Sequence, residues 1–328
     1  MSEQTTKIML SGIIPEQSFN KRLDQCLAEM FPDYSRTKIK EWIESGCVEI
    51  DNSVLTIPRT KMKGEEVVNI AAFQEVQVRN QAEDIDINIV YEDDEILIIN
   101  KPAGLVVHPG AGNSTGTLLN ALLAHCPNID KIPRAGIVHR LDKDTTGLMV
   151  VAKTIESQRH LVEQLQSRSM GREYEAVVMG NLIGGGFVDE NIGRHPSKRT
   201  LMAVRETGKP AVTHYRIIEK FRAHTHLRLK LETGRTHQIR VHMAHIKHPL
   251  VGDTQYGGRP RPPKKASEAL ASCLRNFKRQ ALHAAQITLQ HPSTNELMTW
   301  QAEIPQDMVQ LINVLKQDVQ ENPDLMDY

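Results

Sequence analysis

The sequence predicts an α+β protein with two domains. The prediction rests on apolar, strand-like runs that follow one another through turns, on few helical stretches between them, and on a polar stretch at residues 72–84. The strand-like runs are Ile96 to Ile99, Gly147 to Ala152, Glu175 to Met179, Ala211 to Ile217, Leu227 to Leu231 and Ala285 to Leu289. Helical spacing is confined to residues 116–125, 155–167 and 236–246. A doubly wound parallel sheet needs a helix after nearly every strand, so the pattern favours an α+β domain.

The N-terminal region, residues 17–76, predicts a small α+β unit of its own. Two short helices are expected, and the second runs from an N-cap at Ser35 to Gly46, a residue that tolerates the left-handed end of a helix. Asp51 and Asn52 then mark the turn of a hairpin, and one more strand follows. Such a sequence of elements indicates a self-contained domain.

The polar stretch after this unit predicts a linker at residues 77–86. A second domain is expected over residues 87–316, where the strand-like runs are concentrated. Residues 317–328 are acidic and lack apolar periodicity, which predicts a mobile tail.

Composition excludes several classes of protein. Lys and Arg number 40 and Asp and Glu number 40, so the formal net charge is zero and any nucleic-acid site must be local. The apolar runs are far shorter than the roughly 20 residues of a membrane helix, which predicts no membrane span. Four scattered cysteines without a CxxC pair predict a cytoplasmic protein without structural zinc. No long apolar stripe is left over, so a monomer is expected.

Two clusters of basic residues are candidate RNA contacts. In the N-terminal unit they are Lys21, Arg22, Arg36, Lys38 and Lys40. In a proline-rich insertion of the second domain they are Arg259, Arg261, Lys264 and Lys265. Such cations suit a phosphate backbone. An ordinary solvated surface is the alternative for the first cluster, because Asp24, Glu29 and Asp33 dilute its charge.

Neither a cofactor nor a metal is indicated. The glycine-rich run from Gly110 to Gly116 has neither the GxGxxG nor the Walker spacing of a phosphate loop. Four histidines lie close together without an HExxH motif or a cysteine partner: His237, His242, His245 and His248. Aromatic residues make up 4% of the chain, which argues against an extended platform for stacking bases.

The most informative segment runs from Gly136 to Lys153, GIVHRLDKDTTGLMVVAK. An arginine and a carboxylate stand beside a Thr-Thr-Gly turn and a buried strand, an arrangement that presents fixed polar groups at a sheet edge. Turns also contain Asp, Thr and Gly for structural reasons alone, so the chemistry leaves a functional site and a simple turn equally open. The segment HRLDKDTTGL followed by an apolar strand, however, resembles the signature of the RluA-type pseudouridine synthases.

The resemblance extends over nearly the whole chain. The segments NKPAGLVVHP from Asn100, REYEA from Arg172, LETGRTHQIRVH from Leu231 and ALHA from Ala281 are similar to further family motifs. Residues 21–51 are similar to the S4 RNA-binding domain. The resemblance implies an N-terminal S4-like domain and a catalytic domain built on a mixed, largely antiparallel sheet. Two departures are mild: Thr146 stands where many members carry Ser, and Arg172 where Lys is commoner.

Within the family, the S4-like unit, the HRLDKDTTG variant and the GGRPRPPK insertion are most similar to members that modify the large ribosomal subunit. The resemblance implies isomerisation of uridines 1911, 1915 and 1917 in the helix 69 stem-loop of 23S ribosomal RNA, in support of subunit maturation. It implies no cofactor. The reaction breaks the bond between N1 and C1′, rotates the base and rejoins it through C5 without net redox change.

The resemblance also assigns the catalytic residues. Asp142 is the carboxylate at the ribose, acting either as a nucleophile at C1′ or as a base on the C2′ proton. Arg235 is its cationic partner, and a structural arginine bound to a turn carbonyl is the alternative. Tyr174 lies against the flipped uracil, with core packing as the alternative.

Further residues are implied in substrate binding. The target uridine must leave its stack to react, and Arg140, with His139 beside it, is expected to fill the vacated place, because a planar guanidinium stacks on bases. Ile239 and Leu250 are expected to complete an apolar pocket.

Three other functions stay open. One is a non-catalytic ribosomal or assembly RNA-binding protein, which the presence of Asp142, Arg235 and Tyr174 disfavours. The second is a synthase acting on transfer RNA or another ribosomal site. The third is a nucleotide-dependent or metal enzyme, for which the sequence offers no phosphate loop or ligand set.

Overall fold

The computed structural model describes residues 5–32, 34–75, 80–110, 112–198 and 200–323. The chain divides into two compact units, residues 1–79 and 80–328, and each has a hydrophobic core of its own. Within the described ranges, no helix combines the length and apolar character needed to cross a membrane.

The N-terminal unit consists of two helices and a four-stranded antiparallel sheet of order β1-β4-β2-β3. Its elements are β1 (Thr5–Ile13), α1 (Leu23–Met30), α2 (Arg36–Glu44), β2 (Val48–Ile50), β3 (Ser53–Val54) and β4 (Val67–Glu75). The Ser35 hydroxyl accepts a hydrogen bond from the Lys38 N–H, which is the expected N-cap of α2. The sequence prediction omits β1. This strand pairs with β4 along its whole length, so the folded unit begins before residue 17.

The second unit is built on a nine-stranded sheet of order β5-β6-β7-β14-β8-β13-β12-β9, with β15 beside β14. Its strands are β5 (Ile89–Glu92), β6 (Ile96–Lys101), β7 (Thr146–Ala152), β8 (Gly171–Met179), β9 (Gly186–Asp189), β10 (Ile192–Arg194), β11 (Met202–Val204), β12 (Val212–Lys220), β13 (His224–Leu231), β14 (Leu282–Gln290) and β15 (Leu297–Gln301). The short pair β10 and β11 stands apart. Among the described strands, β7 and β14 run parallel and the other pairs are antiparallel. This confirms the expected mixed, largely antiparallel sheet.

Among the described residues, five α-helices accompany this sheet: α3 (Leu118–His125), α4 (Ile155–Gln166), α5 (Gln238–His245), α6 (Glu268–Asn276) and α7 (Gln306–Glu321). Strand β7 is buried on both faces. Met149 and Val151 belong to a core shared with α3 and α5, whereas Leu148 and Val150 belong to a second core shared with α4. A strand covered on both sides must be apolar throughout, which explains the uninterrupted run after the Thr-Thr-Gly turn.

The predicted linker at residues 77–86 lies partly outside the described residues. From residue 80 onwards it belongs to the second unit. The Glu83 carboxylate accepts from the Gly116 N–H at 3.1 Å, and the Asn120 side chain donates to the Gln81 carbonyl at 2.8 Å. These contacts attach residues 81–83 to the start of α3.

The C-terminal segment corrects one prediction. Helix α7 continues to Glu321, so the mobile tail predicted for residues 317–328 is wrong for residues 317–321. Asp318 is 2% exposed and receives hydrogen bonds of 2.8 and 2.9 Å from Nε and Nη2 of Arg222. The Asp318 carboxylate faces the core at a position where a regular helix pattern would have an apolar side chain. The apolar periodicity of the sequence is therefore lost there. Residues 324–328 lie outside the described residues.

Candidate active site

A cavity of about 600 Å³ lies beside the loop that precedes β7. Segments distant in sequence line it: residues 134–142, 172–174 and 234–240 contribute most of its wall. Six of the predicted site residues line it together: Asp142, Tyr174, Arg235, Arg140, His139 and Ile239. Leu250 does not line this cavity. It is 1% exposed in the main core, paired with Val178, so its predicted place in the pocket is wrong.

The loop that carries Asp142 is held by Gln280, just before β14, and by His283 within β14. The Thr145 N–H donates to the Asp142 carbonyl at 3.1 Å and closes the turn. The Thr145 hydroxyl accepts from Nε2 of Gln280 at 3.0 Å, and the Thr146 hydroxyl lies 2.8 Å from Nδ1 of His283. The two threonines therefore attach the loop to residues 280–283, more than 130 positions later in the sequence.

Gly147 allows β7 and β14 to approach at this point. Its φ is +113°, a conformation that favours glycine, and a Cβ there would lie 2.3 Å from the Ala284 carbonyl oxygen. A side chain would push the strands apart. The close packing of β7 on β14 therefore requires the glycine of the Thr-Thr-Gly turn.

Lys101 ties the same loop to the end of β6. It is 1% exposed, and its Nζ donates to the carbonyls of Pro102, Leu105 and Lys143 at 2.7, 3.0 and 2.8 Å. Burial lowers the pKa of Lys101 to about 8. Because Lys143 follows Asp142 directly, Lys101 holds the loop that carries Asp142.

Asp142 is bound by Arg240. Nη1 of Arg240 donates to Oδ2 of Asp142 at 3.0 Å, while Nε and Nη2 donate to the buried carboxylate of Asp253 at 2.7 and 3.0 Å. Burial alone would lower the pKa of Arg240, but the Asp253 and Asp142 carboxylates outweigh it and raise the pKa above its ordinary value. The guanidinium is a fixed cation between two carboxylates.

The predicted pairing of Arg235 with Asp142 is wrong. Arg235 lines the cavity, but its Nε donates to the Pro210 carbonyl at 3.1 Å, which is the structural alternative that the sequence left open. Its N–H is bound by the Gln238 side chain at 2.9 Å. Arg235 stands in the turn before α5, whereas Arg240 lies within the helix and reaches Asp142 from there.

His237 is a further neighbour of Asp142 that the sequence did not assign. Its Nε2 lies 3.8 Å from Oδ1 of Asp142, and its Nδ1 lies 2.7 Å from the Tyr256 hydroxyl. Burial lowers the pKa of His237. The spacing of His237 and Arg240, three residues apart at the start of a helix, is the signal that places both on one face.

The other histidines of this segment contact groups away from Asp142. His242 contacts the Thr213 hydroxyl and the Glu190 carbonyl at 2.9 and 3.0 Å. His248 contacts the Met179 carbonyl at 2.9 Å. His245 lies 3.9 Å from the Glu190 carboxylate. The three rings therefore contact different groups of the fold.

His139, Arg140 and Tyr174 surround the cavity in different ways. Nε2 of His139 accepts from the Val150 N–H at 3.1 Å, and burial together with nearby Arg172 lowers its pKa to about 3, so the ring is neutral. Arg140 is exposed at the cavity wall. Tyr174 projects from β8 and is buried, which raises the pKa of its hydroxyl.

The predicted RNA contacts of the N-terminal unit all have acidic partners. Arg22 and Arg36 both bind Asp24 through two hydrogen bonds each, at 2.8 to 3.0 Å. Burial alone would raise the pKa of Asp24, but the two arginines outweigh it and lower this pKa. The lysines form ion pairs at the surface: Lys21 with Glu29, Lys38 with Glu41 and Lys40 with Glu44, at 2.9, 3.2 and 3.5 Å.

The cations of the insertion, Arg259, Arg261, Lys264 and Lys265, are exposed. The chain around them is anchored, because the Lys264 carbonyl accepts from Nη1 of Arg222 at 2.7 Å. The insertion then continues into α6, which packs on α7 in a core of its own. The backbone that carries these basic side chains is therefore anchored to the second unit.

Comparison with known proteins agrees with this geometry. Residues 95–245 match the family described as RNA pseudouridylate synthase, and residues 21–68 match the S4 domain. The chain is 61% identical over 98% of its length to the ribosomal large subunit pseudouridine synthase D of Escherichia coli (strain K12), of which 99% is covered. The same protein of Haemophilus influenzae is 60% identical with the same coverage.

The fold is also similar to a solved structure, human RNA pseudouridylate synthase domain containing 4. The TM-score is 0.53 at 25% identity, covering 70% of this chain and 93% of the human one. The expected family and fold are confirmed. The chain belongs to the RNA pseudouridylate synthase family and is an RNA pseudouridine synthase with an N-terminal S4 RNA-binding domain.

Proposed function

We propose that this enzyme converts specific uridines of large-subunit ribosomal RNA to pseudouridine, with Asp142 as the carboxylate that acts at the ribose. The observation that carries the proposal is the position of Asp142, which lies in the cavity wall with Oδ2 bound by Arg240 and with Tyr174 on the same cavity. The near full-length similarity to ribosomal large subunit pseudouridine synthases of other bacteria supports the choice of RNA.

The geometry suggests how the residues divide the reaction. Because Arg240 binds Oδ2, Oδ1 is the oxygen left for the substrate. It either bonds to C1′ or takes the C2′ proton as the bond between N1 and C1′ breaks. Tyr174 bounds the side of the cavity that receives the base, and exposed Arg140 stands where it can occupy the place of the extruded uridine.

The finer assignment is the helix 69 stem-loop of 23S ribosomal RNA, modified in the large subunit or its precursor in the cytoplasm by a monomer. Exposed Arg259, Arg261, Lys264 and Lys265 support contact with a phosphate backbone, and so does the S4 domain. The four cysteines are free, which suits a reducing compartment.

The test is to incubate purified protein with a transcribed helix 69 fragment and to map pseudouridine by carbodiimide primer extension. We expect modification by the native protein and by Asp144→Asn, and none by Asp142→Asn. Asp144 is the matched control because it lies in the same loop but does not line the cavity. Immature large subunits and a transfer RNA pool serve as parallel substrates.

Modification of transfer RNA alone would replace the ribosomal assignment. Modification by Asp142→Asn at the native rate would remove Asp142 from the reaction. Silence of the native protein on all three substrates would favour the RNA-binding protein without catalysis.

A further inference from the structure

Arg172 is a buried arginine in the cavity wall whose side chain has no hydrogen-bond partner among the described residues. It is 7% exposed, and its Nε is fully buried without an acceptor. Within the described ranges, no carboxylate pairs with its guanidinium. The neighbouring arginines of the cavity differ, because Arg240 is bound by Asp142 and Asp253 and Arg235 by the Pro210 carbonyl.

The guanidinium lies at the cavity surface beside Gly234. A Cβ built on Gly234 would come within 2.7 Å of Nη1 of Arg172, and both residues line the cavity. The missing side chain at position 234 therefore leaves room for this end of the arginine.

A guanidinium Nε that is buried without an acceptor is unfavourable in the free protein. A negative charge in the cavity during the reaction would give the Arg172 guanidinium a partner.

The position of Arg172 on β8 indicates which charge this is. Alternate residues of a strand project to the same face, so Arg172 and Tyr174 are neighbours on the cavity side of β8. Tyr174 bounds the part of the cavity assigned to the base, while Asp142 and Arg240 hold the part assigned to the ribose. Arg172 therefore lies beside the uracil ring in the proposed function, on which this inference rests.

We propose that Arg172 is a catalytic residue that donates to a carbonyl oxygen of the flipped uracil and stabilises the negative charge on the ring after the bond between N1 and C1′ breaks. The electron pair of that bond leaves with the base and spreads over N1, O2 and O4. Asp142 compensates C1′ by bonding to it or by taking the C2′ proton, which is later returned. C5 then bonds to C1′ as the bond between Asp142 and C1′ breaks, or as the C2′ proton is returned. The C5 proton passes to solvent and N1 takes up a proton, so the ring is neutral again and the reaction has no net redox change.

The test compares Arg172→Gln and Arg172→Lys with the native protein. Arg168→Gln is the matched control, because Arg168 is an exposed arginine paired with Glu232 at 3.0 Å. Single-turnover rates are measured at saturating protein by tritium release from ribosomal RNA labelled at uridine C5, and affinity is measured by filter binding of the same RNA. Tritium release by the native protein is the reference for each variant, whichever uridines the enzyme modifies. The comparison of the variants therefore holds even if the helix 69 assignment is wrong.

We expect Arg172→Gln to slow the single-turnover rate about 10² to 10³-fold, the usual effect of losing one donor to a developing anion. Affinity should change little, Arg172→Lys should recover most of the rate, and Arg168→Gln should match the native protein. The midpoint of thermal unfolding of Arg172→Gln should be no lower than that of the native protein, because a buried Nε without an acceptor is removed.

A second substrate tests the charge itself. The 5-fluorouracil ring carries negative charge more readily than uracil. On RNA that contains 5-fluorouridine, breakage of the bond between N1 and C1′ is followed by nucleoside analysis. Arg172→Gln should slow this step less on that RNA than on RNA with uridine. An unchanged rate, or a loss confined to affinity as for a phosphate contact, would overturn the proposal. Equal losses in Arg172→Gln and Arg172→Lys with a lowered unfolding midpoint would also overturn it in favour of a structural role.

Discussion

Nη1 of Arg240 donates to Oδ2 of Asp142 over 3.0 Å. The same guanidinium is bound from its other edge by Asp253, which is itself buried. Asp142 is thereby connected through one rigid, planar group to the interior of the second unit. Its carboxylate is held in one orientation before substrate arrives, as a carboxylate acting at C1′ or C2′ requires.

Replacing Arg240 should impair both activity and stability. Arg240→Gln frees Asp142 to rotate and leaves Asp253 buried without a cation, which is expected to cost about 3 to 5 kcal/mol in the free energy of unfolding. Urea unfolding and single-turnover pseudouridine formation measure the two effects. The double variant Arg240→Gln with Asp253→Asn should regain part of the stability but not the activity.

Arg235→Gln is the control for this prediction. Arg235 is exposed and bound to one carbonyl, so its loss should leave the free energy of unfolding nearly unchanged. A larger loss of stability in Arg235→Gln than in Arg240→Gln would contradict the assignment of Arg240 as the buried partner.

Lys101 should make stability depend on pH above neutrality. Its pKa in the folded state is about 8 because of burial, below the ordinary 10.5, so the unfolded chain binds this proton more tightly. The cost of the buried charge, about 3 kcal/mol, is present below pH 8 and disappears as the pH rises to 10.5.

The variant Lys101→Met isolates this effect. It should be less stable than the native protein at every pH, since three carbonyls lose their donor, and it should show a smaller rise in unfolding free energy between pH 7.5 and pH 10. Parallel curves for the two proteins would contradict the titration of Lys101 in this range.

Buried neutral histidines should make the protein sensitive to mild acid. Burial lowers the pKa of His139 to about 3 and of His224 to about 4, below the ordinary 6.5. The unfolded chain takes up protons below pH 6.5 and the folded protein does not, so stability is full above pH 6.5 and is lost as the pH falls. Urea unfolding at pH 7.5 and pH 5 should show the decrease.

His224→Gln removes one of these groups at a distance from the cavity. The difference in unfolding free energy between pH 7.5 and pH 5 should shrink by about 2 kcal/mol in this variant. An undiminished difference would assign the acid sensitivity to other groups.

The exposed lysines of α2 should contribute to RNA affinity by binding phosphates. Lys38→Ala combined with Lys40→Ala should reduce the slope of log affinity against log salt concentration by about 0.7 to 0.9 for each phosphate that is no longer neutralised. Turnover at saturating RNA should persist, because neither residue lines the cavity.

Lys316→Ala is the matched control for these lysines. Lys316 is an equally exposed lysine, paired with Glu219 at 3.0 Å, but it is not a predicted RNA contact. An unchanged salt slope in the α2 variant, or an equal change in Lys316→Ala, would remove the α2 lysines from the RNA interface.

Local patterns were sufficient for most of the elements and for placing Asp142 in a family motif. Helical spacing and a capping serine placed α2, and the uniformly apolar run after Gly147 placed β7, because each depends on residues near in sequence. Where the local pattern was weak, prediction failed. Strand β1 exists because β4 pairs with it, and the end of α7 exists because Arg222 accommodates Asp318 in the core.

The sequence by itself determined that Asp142 lies in a family motif, that Arg140 and Tyr174 accompany it, and that an S4-like unit precedes them. The tertiary structure alone decided that Arg240 rather than Arg235 binds Asp142, that Leu250 lies in the core, and that Arg172 has no partner among the described residues. The reason is physical. A motif records which side chains are present, but an ion pair requires two groups within about 4 Å, and that distance between residues 98 positions apart is set by the packing of the sheet and its helices.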